Sequence, residues 1–196
     1  VGPERQFTVV DTARIEAGPG SRPSEVKSMM DTLFDLRGRV AVVTGGSRGI
    51  GAMIARGFVE EGVRTYITAR NADALEETAR VLSTYGECIA LPANLSEPEA
   101  LEGFARELAS REEKIDILVN NAGATWGASL DEFPEHGWDK VMDLNVKSIF
   151  FLTQALLPRL RAAASAEAPA RVVNIGSING LGYAPLNNYS YSASKA

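Results

Sequence analysis

The sequence is short of the residues that build metal clusters and disulfide frameworks. Cys88 and His136 are its single cysteine and single histidine. One cysteine excludes a disulfide scaffold and a cysteine-based metal cluster; within a strand pattern, Cys88 reads as a small buried hydrophobe. His136 falls in a Pro/Gly-flanked loop with no partners for a metal, and the acids show no metal-ligand spacing, so a surface role and no metal are expected. Basic residues are in deficit too. Twenty Lys+Arg stand against 25 Asp+Glu, a net charge of −5, whereas a nucleic-acid binder presents a basic face. No apolar run approaches the roughly 20 residues that span a bilayer. The N-terminus lacks the basic-then-apolar pattern of a signal peptide. These absences predict a soluble, cytoplasmic protein with no nucleic-acid or membrane partner.

What is present is a globular composition, 45% hydrophobic and 23% charged over 196 residues, enough for one core plus appendages. Residues 1–35 stand apart. Gly2, Pro3, Gly18, Pro19, Gly20 and Pro23 punctuate them, and charges of both signs follow no period, the pattern of a disordered leader. The sequence starts with Val1, while Met29 and Met30 sit just before the first periodic segment. The biological start is therefore expected there, with the leader as non-native upstream sequence.

From Leu36 onward, short apolar runs alternate with amphipathic ones. Strands are expected at Arg39–Thr44, Val63–Thr68, Glu87–Leu91, Ile115–Asn120 and Arg171–Ser177. Between them, Ile50, Met53, Ile54 and Phe58 recur at helical spacing up to about Gly62, and Leu75, Ala79 and Leu82 mark a second helix. Ser96 and Glu99 fit a capping box ahead of Leu101, Phe104, Ala105 and Leu108. One long helix is expected from roughly Trp138 to Leu160. Five strand–helix alternations predict an α/β fold, a doubly wound parallel sheet of Rossmann type. Ligands bind such sheets beyond the carboxyl ends of the strands.

The segments after the strands carry the candidate residues. Strand one runs into Thr44-Gly-Gly-Ser-Arg-Gly-Ile-Gly51, a glycine-rich turn opening a helix. Glycine lets the backbone approach a phosphate, and a helix N-terminus offers unpaired N–H groups. Gly45, Ser47, Arg48, Gly49, Ile50 and Gly51 are thus expected to bind a dinucleotide. Arg70 and Asn71 stand about 20 residues further on, where an acid would hold the ribose of NAD and an arginine suits a 2′-phosphate. With no acid there and Arg48 as a second cation, the expected cofactor is NADP(H). Asn94 and Leu95, after strand three, face an adenine in this reading; Asn121, Ala122 and Gly123, after strand four, let the cofactor pass closely. Ser177 closes strand five. Tyr191 and Lys195 share one helix face at i and i+4, and an ammonium near a phenol stabilises the phenolate, which makes Tyr191 a proton donor for a carbonyl. Tyr183 and Tyr189 have no lysine four residues on. Trp126 either walls the substrate pocket or packs. Ile149, Phe150, Phe151, Leu152, Leu156 and Leu157 give the long helix several apolar sides, suiting a subunit interface as well as a core.

Thr44-Gly-x-x-x-Gly-Ile-Gly51, Asn120-Asn-Ala-Gly123, Asn145, Ser177 and Tyr191-x-x-x-Lys195, in that order, resemble the short-chain dehydrogenase/reductase family from about Leu36 to the end, and within it the NADPH-dependent 3-oxoacyl-thioester (ketoacyl-ACP) reductases. The resemblance implies that Tyr191 protonates a carbonyl oxygen while Ser177 hydrogen-bonds the same oxygen. It implies that Lys195 and Tyr191 bind the cofactor, Lys195 holding the nicotinamide ribose and tuning Tyr191, and that Asn145 anchors a water leading from Lys195 to a proton relay. It implies a homodimer or homotetramer acting on a small carbonyl or alcohol substrate. Two departures stand out. Asn94 replaces the Asp usual in the family, which predicts modestly weaker adenine binding. The family continues well beyond Lys195, so the C-terminal part is expected to be missing and this length alone to be inactive, because a short helix relies on its packing. Alternatives are an NAD(P)-dependent dehydrogenase of a sugar, steroid or other secondary alcohol, a dinucleotide-sensing protein, and an inactive fragment. Retention of Asn145, Ser177, Tyr191 and Lys195 favours an enzyme over a sensor.

Overall fold

A computed structural model describes residues 35–182 and 186–196. The leader expected over residues 1–35, with Met29 and Met30, falls outside the described residues except for Asp35, as does Tyr183. Residues 36–196 form one compact unit.

Within that unit five strands, β1 (Val40–Thr44), β2 (Arg64–Thr68), β3 (Cys88–Ala90), β4 (Ile117–Asn120) and β5 (Arg171–Asn174), form one sheet in the order β3-β2-β1-β4-β5. All four pairings are parallel, as the strand–helix alternation requires. Helices α1 (Gly49–Glu60), α2 (Ala72–Leu82), α3 (Pro98–Arg111), α4 (Glu135–Met142), α5 (Ser148–Ala163) and α6 (Tyr189–Lys195) intervene. Alternation along the strands feeds two cores. Val42, Tyr66 and Leu118 pack with Leu101, Phe104 and Leu108 of α3 and Leu152, Leu156 and Leu160 of α5. Ala41, Val43, Ile67, Ile117 and Val119 pack on the other face with Ala55 and Val59 of α1 and Leu75, Ala79 and Leu82 of α2. The sheet is thus doubly wound, and the chain reverses its direction of travel between β1 and β4. That switch point opens a crevice at the carboxyl ends of these two strands.

Four local expectations need correction. The capping box fails: α3 starts at Pro98, Glu97 is its cap residue without a side-chain bond, and the Ser96 hydroxyl donates to Asn94 Oδ1 at 2.8 Å. Proline suits the first helical position because its fixed φ is already helical and the N–H it lacks would be unpaired there, so it displaces the cap and the start one residue onward. The single helix over Trp138–Leu160 is α4 and α5 joined by a wide π-turn, Asp143–Lys147. His136 belongs to α4 and not to a loop, although it is exposed as expected. The fifth strand ends at Asn174, three residues early.

At the opposite end of the sheet, buried Glu112 accepts from the Tyr66 hydroxyl at 2.7 Å and from Arg64 at 3.1 Å. Burial, then the bond to Glu112, pushes the Tyr66 phenol up to about 12. Burial alone pushes the Cys88 thiol up to about 11 from its usual 9.0. Both folded values exceed the unfolded ones, so the native state holds these protons more tightly. This part of the stability is complete below pH 9 and is lost as pH rises toward 11 and 12. Between pH 9 and 10 the thiol dominates the loss. Urea midpoints measured across that interval should fall for the wild type and stay flatter for Cys88→Ala; equal slopes would contradict the assignment.

Candidate functional site

The glycine turn is fixed by two side chains, Thr44 and Asn121. Thr44 Oγ1 accepts from the backbone N–H groups of Asn121 at 3.0 Å and Ala122 at 2.9 Å. The Asn121 amide returns bonds to the carbonyls of Thr44 at 2.9 Å and Gly45 at 3.3 Å. The end of β1 is thereby tied to the end of β4 across the switch point. Gly45 has φ +68°, and a Cβ there would stand 2.9 Å from Ala122 Cα; a Cβ at Gly51 would collide with the Gly45 carbonyl. These two positions admit glycine because the chain passes so close to itself.

Beyond this turn α1 begins at Gly49 with Arg48 as cap residue, no side-chain cap and no acid in its first turn. Gly49 and Ile50 are exposed, and nothing lies within 4 Å of the Cβ position of Gly49. Unpaired N–H groups thus face open space with no competing carboxylate, which fits a phosphate group. Arg48 and Arg70 are exposed, and among the described residues neither has an ion-pair partner. Ser47 faces the turn, where its carbonyl accepts from Thr78 Oγ1 at 2.8 Å.

Other expected residues have local duties. Asn71 caps α2, its Oδ1 accepting from Ala74 N at 2.9 Å. Asn94 donates to Glu97 Oε1 at 2.7 Å. Leu95 is buried in the core beside Leu91 and Leu101, so its side chain faces the α3 side of the sheet. Gly123 is exposed. The Trp126 ring meets His136 edge-on at 5.0 Å and carries the Lys140 ammonium at 4.9 Å, which gives it packing partners on α4.

Asn145 occupies the π-turn and is 2% exposed. Its Oδ1 accepts from Ala124 N at 2.8 Å, and its Nδ2 donates to Ala124 O at 3.0 Å and Ser194 Oγ at 2.9 Å. The Lys195 ammonium donates to the Ile175 carbonyl at 2.7 Å and lies 6.0 Å from the centre of the Tyr191 ring. Ser177 Oγ accepts from Asn179 N at 3.2 Å; no hydrogen bond joins it to Tyr191. Gly180, three residues on, approaches the Lys195 carbonyl so closely that a Cβ there would collide with it. Asn145, Ser194 and Lys195, with Ile149, Phe150 and Asn174, line an open groove of about 650 Å³.

The structure therefore brings Asn145, Tyr191 and Lys195 together and ties the glycine turn to the segment after β4. Ala124, Ile175 and Ser194 were not singled out in the sequence, and Thr44 stood there only as the first residue of the glycine motif, without the tying role of its hydroxyl. Ser194 alone left a signal there, since its place three residues after Tyr191 puts both on one side of α6.

Residues 39–196 match the family model described as short chain dehydrogenase. The rhamnolipids biosynthesis 3-oxoacyl-[acyl-carrier-protein] reductase of Pseudomonas aeruginosa is 53% identical over 167 residues, 85% of this chain and 65% of that protein. The 3-oxoacyl-[acyl-carrier-protein] reductase FabG of Vibrio cholerae is 36% identical over 80% of this chain and 62% of its own length. Among solved structures, the Pseudomonas aeruginosa RhlG/NADP active-site complex superposes with a TM-score of 0.80 at 53% identity, covering 83% of this chain and 63% of that one. The chain thus spans a little under two thirds of the length of these relatives. No helix among the described residues is long and apolar enough to cross a membrane.

Proposed function

The chain belongs to the short chain dehydrogenase family, and from that premise we propose an activity. Residues 36–196 are the dinucleotide-binding domain of an oxidoreductase that uses NADPH to reduce a ketone, specifically a 3-oxoacyl thioester, to a secondary alcohol. The observation that carries this reading is the Tyr191–Lys195 pair on α6, tied through Ser194 and Asn145 to Ala124, beside the segment that closes the glycine turn.

Gly45, Ser47, Gly49, Ile50 and Gly51 hold the pyrophosphate at the start of α1, and Arg48 and Arg70 hold the 2′-phosphate. Asn71, Asn94 and Leu95 border the adenosine; Asn121, Ala122 and Gly123 form the floor under the rest of the cofactor. When bound, NADPH supplies the hydride. Tyr191 gives its phenolic proton to the carbonyl oxygen, and Ser177 donates a hydrogen bond to that oxygen. Lys195, resting on the Ile175 carbonyl, keeps two further N–H donors for ribose hydroxyls and places positive charge beside Tyr191. Both hydrogens of Asn145 Nδ2 are taken by Ala124 and Ser194, while Oδ1 accepts from Ala124 N and keeps a second lone pair. Asn145 thus holds these elements together and anchors a water leading from Lys195 to the proton relay.

The acyl substrate is favoured by the exposed Ile178 and Leu181, 81% and 86% accessible, one and four residues after Ser177. The same activity stands in the names of the Pseudomonas and Vibrio relatives. Exposed Val146, Phe150 and Phe151 around the start of α5 suit contact with a second copy, giving a homodimer or homotetramer. The full-length protein, given a 3-oxoacyl thioester, is expected to consume NADPH faster than NADH and to form the 3-hydroxy product. Consumption of neither cofactor with any ketone would overturn the reading.

A further inference from the structure

We propose that Ser194 is a positioning residue of this site, an inference resting on the carbonyl-reductase reading. Its hydroxyl has two bonds. It donates to the Tyr191 carbonyl at 2.8 Å and accepts from Asn145 Nδ2 at 2.9 Å. The first is the ordinary back-bond of a helical serine. The second comes from another element, 49 residues earlier in the chain.

Neither of the other serines of α6 does this. Ser192 bonds Asn188, the residue that caps its own helix, at 3.2 Å, and the buried Ser190 hydroxyl has no partner among the described residues. Asn145, 2% exposed, holds Ala124 through two bonds of its own. A continuous chain Ala124–Asn145–Ser194–Tyr191 therefore links the segment after β4 to the backbone of the proton donor. The π-turn over Asp143–Lys147 supports the Asn145 end of it; such one-turn expansions recur at functional sites. Because hydrogen bonds are directional and the Asn145 end of the link is buried, the link fixes where the backbone of Tyr191 sits relative to the glycine turn. A misplacement of about 1 Å at a reacting centre can cost about 10²-fold in rate.

The test uses the full-length enzyme with NADPH and a 3-oxoacyl thioester. Ser194→Ala is expected to lower kcat on the order of 10²-fold with KM for NADPH little changed, and to lower the thermal midpoint only modestly, because buried Asn145 loses one acceptor. Ser194→Thr, which keeps the oxygen, restores most of kcat. Ser194→Ala combined with Asn145→Ala costs far less than the product of the two single losses, because both cut one link. Unchanged kcat in Ser194→Ala overturns the proposal, as does a kcat loss that tracks the thermal midpoint and is not restored by Thr. Should the Ala variant not fold, Ser194→Cys replaces it: a reduced kcat supports the role and a wild-type kcat refutes it. A Tyr191→Phe enzyme with undiminished turnover would remove the carbonyl-reductase reading itself. An inactive Tyr191→Phe beside a fully active Ser194→Ala would remove only the role of Ser194.

Discussion

Tyr191→Phe in the full-length protein is expected to lower kcat by about 10³-fold, within the 10²–10⁴ range that a positioned acid supplies. The substitution keeps the ring and deletes one oxygen. That oxygen has no hydrogen-bond partner among the described residues, so its loss leaves no buried donor or acceptor unpaired and the thermal midpoint should hold. The affinity for NADPH should change little, because most of the donors assigned to the cofactor lie elsewhere, on the glycine turn, on Arg48 and Arg70 and on Lys195. A fall in kcat without a fall in stability or cofactor affinity separates loss of the proton donor from loss of structure. Steady-state kinetics beside a binding titration and a thermal melt reads all three. Tyr189 is the contrast: its hydroxyl bonds Asn187 at 3.3 Å and its ring packs on Phe133, so Tyr189→Phe should keep kcat near the wild-type value.

Arg70→Asp should reverse the cofactor preference. The guanidinium stands at the end of β2, exposed and, among the described residues, without an ion-pair partner, where a 2′-phosphate would meet it. A hydrogen bond to a charged group contributes roughly 1.5–3 kcal/mol. Losing it and adding a like charge should lower the ratio of kcat/KM for NADPH over NADH by about 10²-fold. Part of that change should be a gain with NADH, since a carboxylate at this place accepts from the ribose 2′-hydroxyl. Comparing kcat/KM for the two cofactors decides it; an unchanged ratio would show that Arg70 does not read the phosphate.

The layout of the sheet was legible because its central strands β1 and β4 are apolar runs buried on both faces, and because the strands lead into glycine, amide or arginine segments. The glycine turn and the Tyr191–Lys195 spacing were legible for the same reason: their geometry is local, set by residues within one or two helical turns. What escaped depends on long-range bonds or on local backbone detail that the apolar pattern does not record. A π-turn leaves no change of hydrophobic period over five residues, so α4 and α5 read as one helix. The placing of Asn145 opposite Ala124 and Ser194 comes from residues 21 and 49 positions away. The Ser96 capping box failed because Pro98 sets a different start. Lys195 resting on the Ile175 carbonyl is a side-chain-to-backbone contact, which residue types alone do not announce.

The central claim is that a phenol on α6 delivers a proton at the place where the dinucleotide laid along the glycine turn delivers its hydride. The most direct test is a crystal structure of the full-length protein with NADPH and an unreactive 3-oxoacyl analogue. The claim predicts the Tyr191 hydroxyl within hydrogen-bond reach of the analogue's carbonyl oxygen, about 2.6–3.2 Å, with the pyrophosphate on the N–H groups of Gly49 to Gly51. A hydroxyl turned away from that oxygen, with the phosphates bound elsewhere, would contradict it.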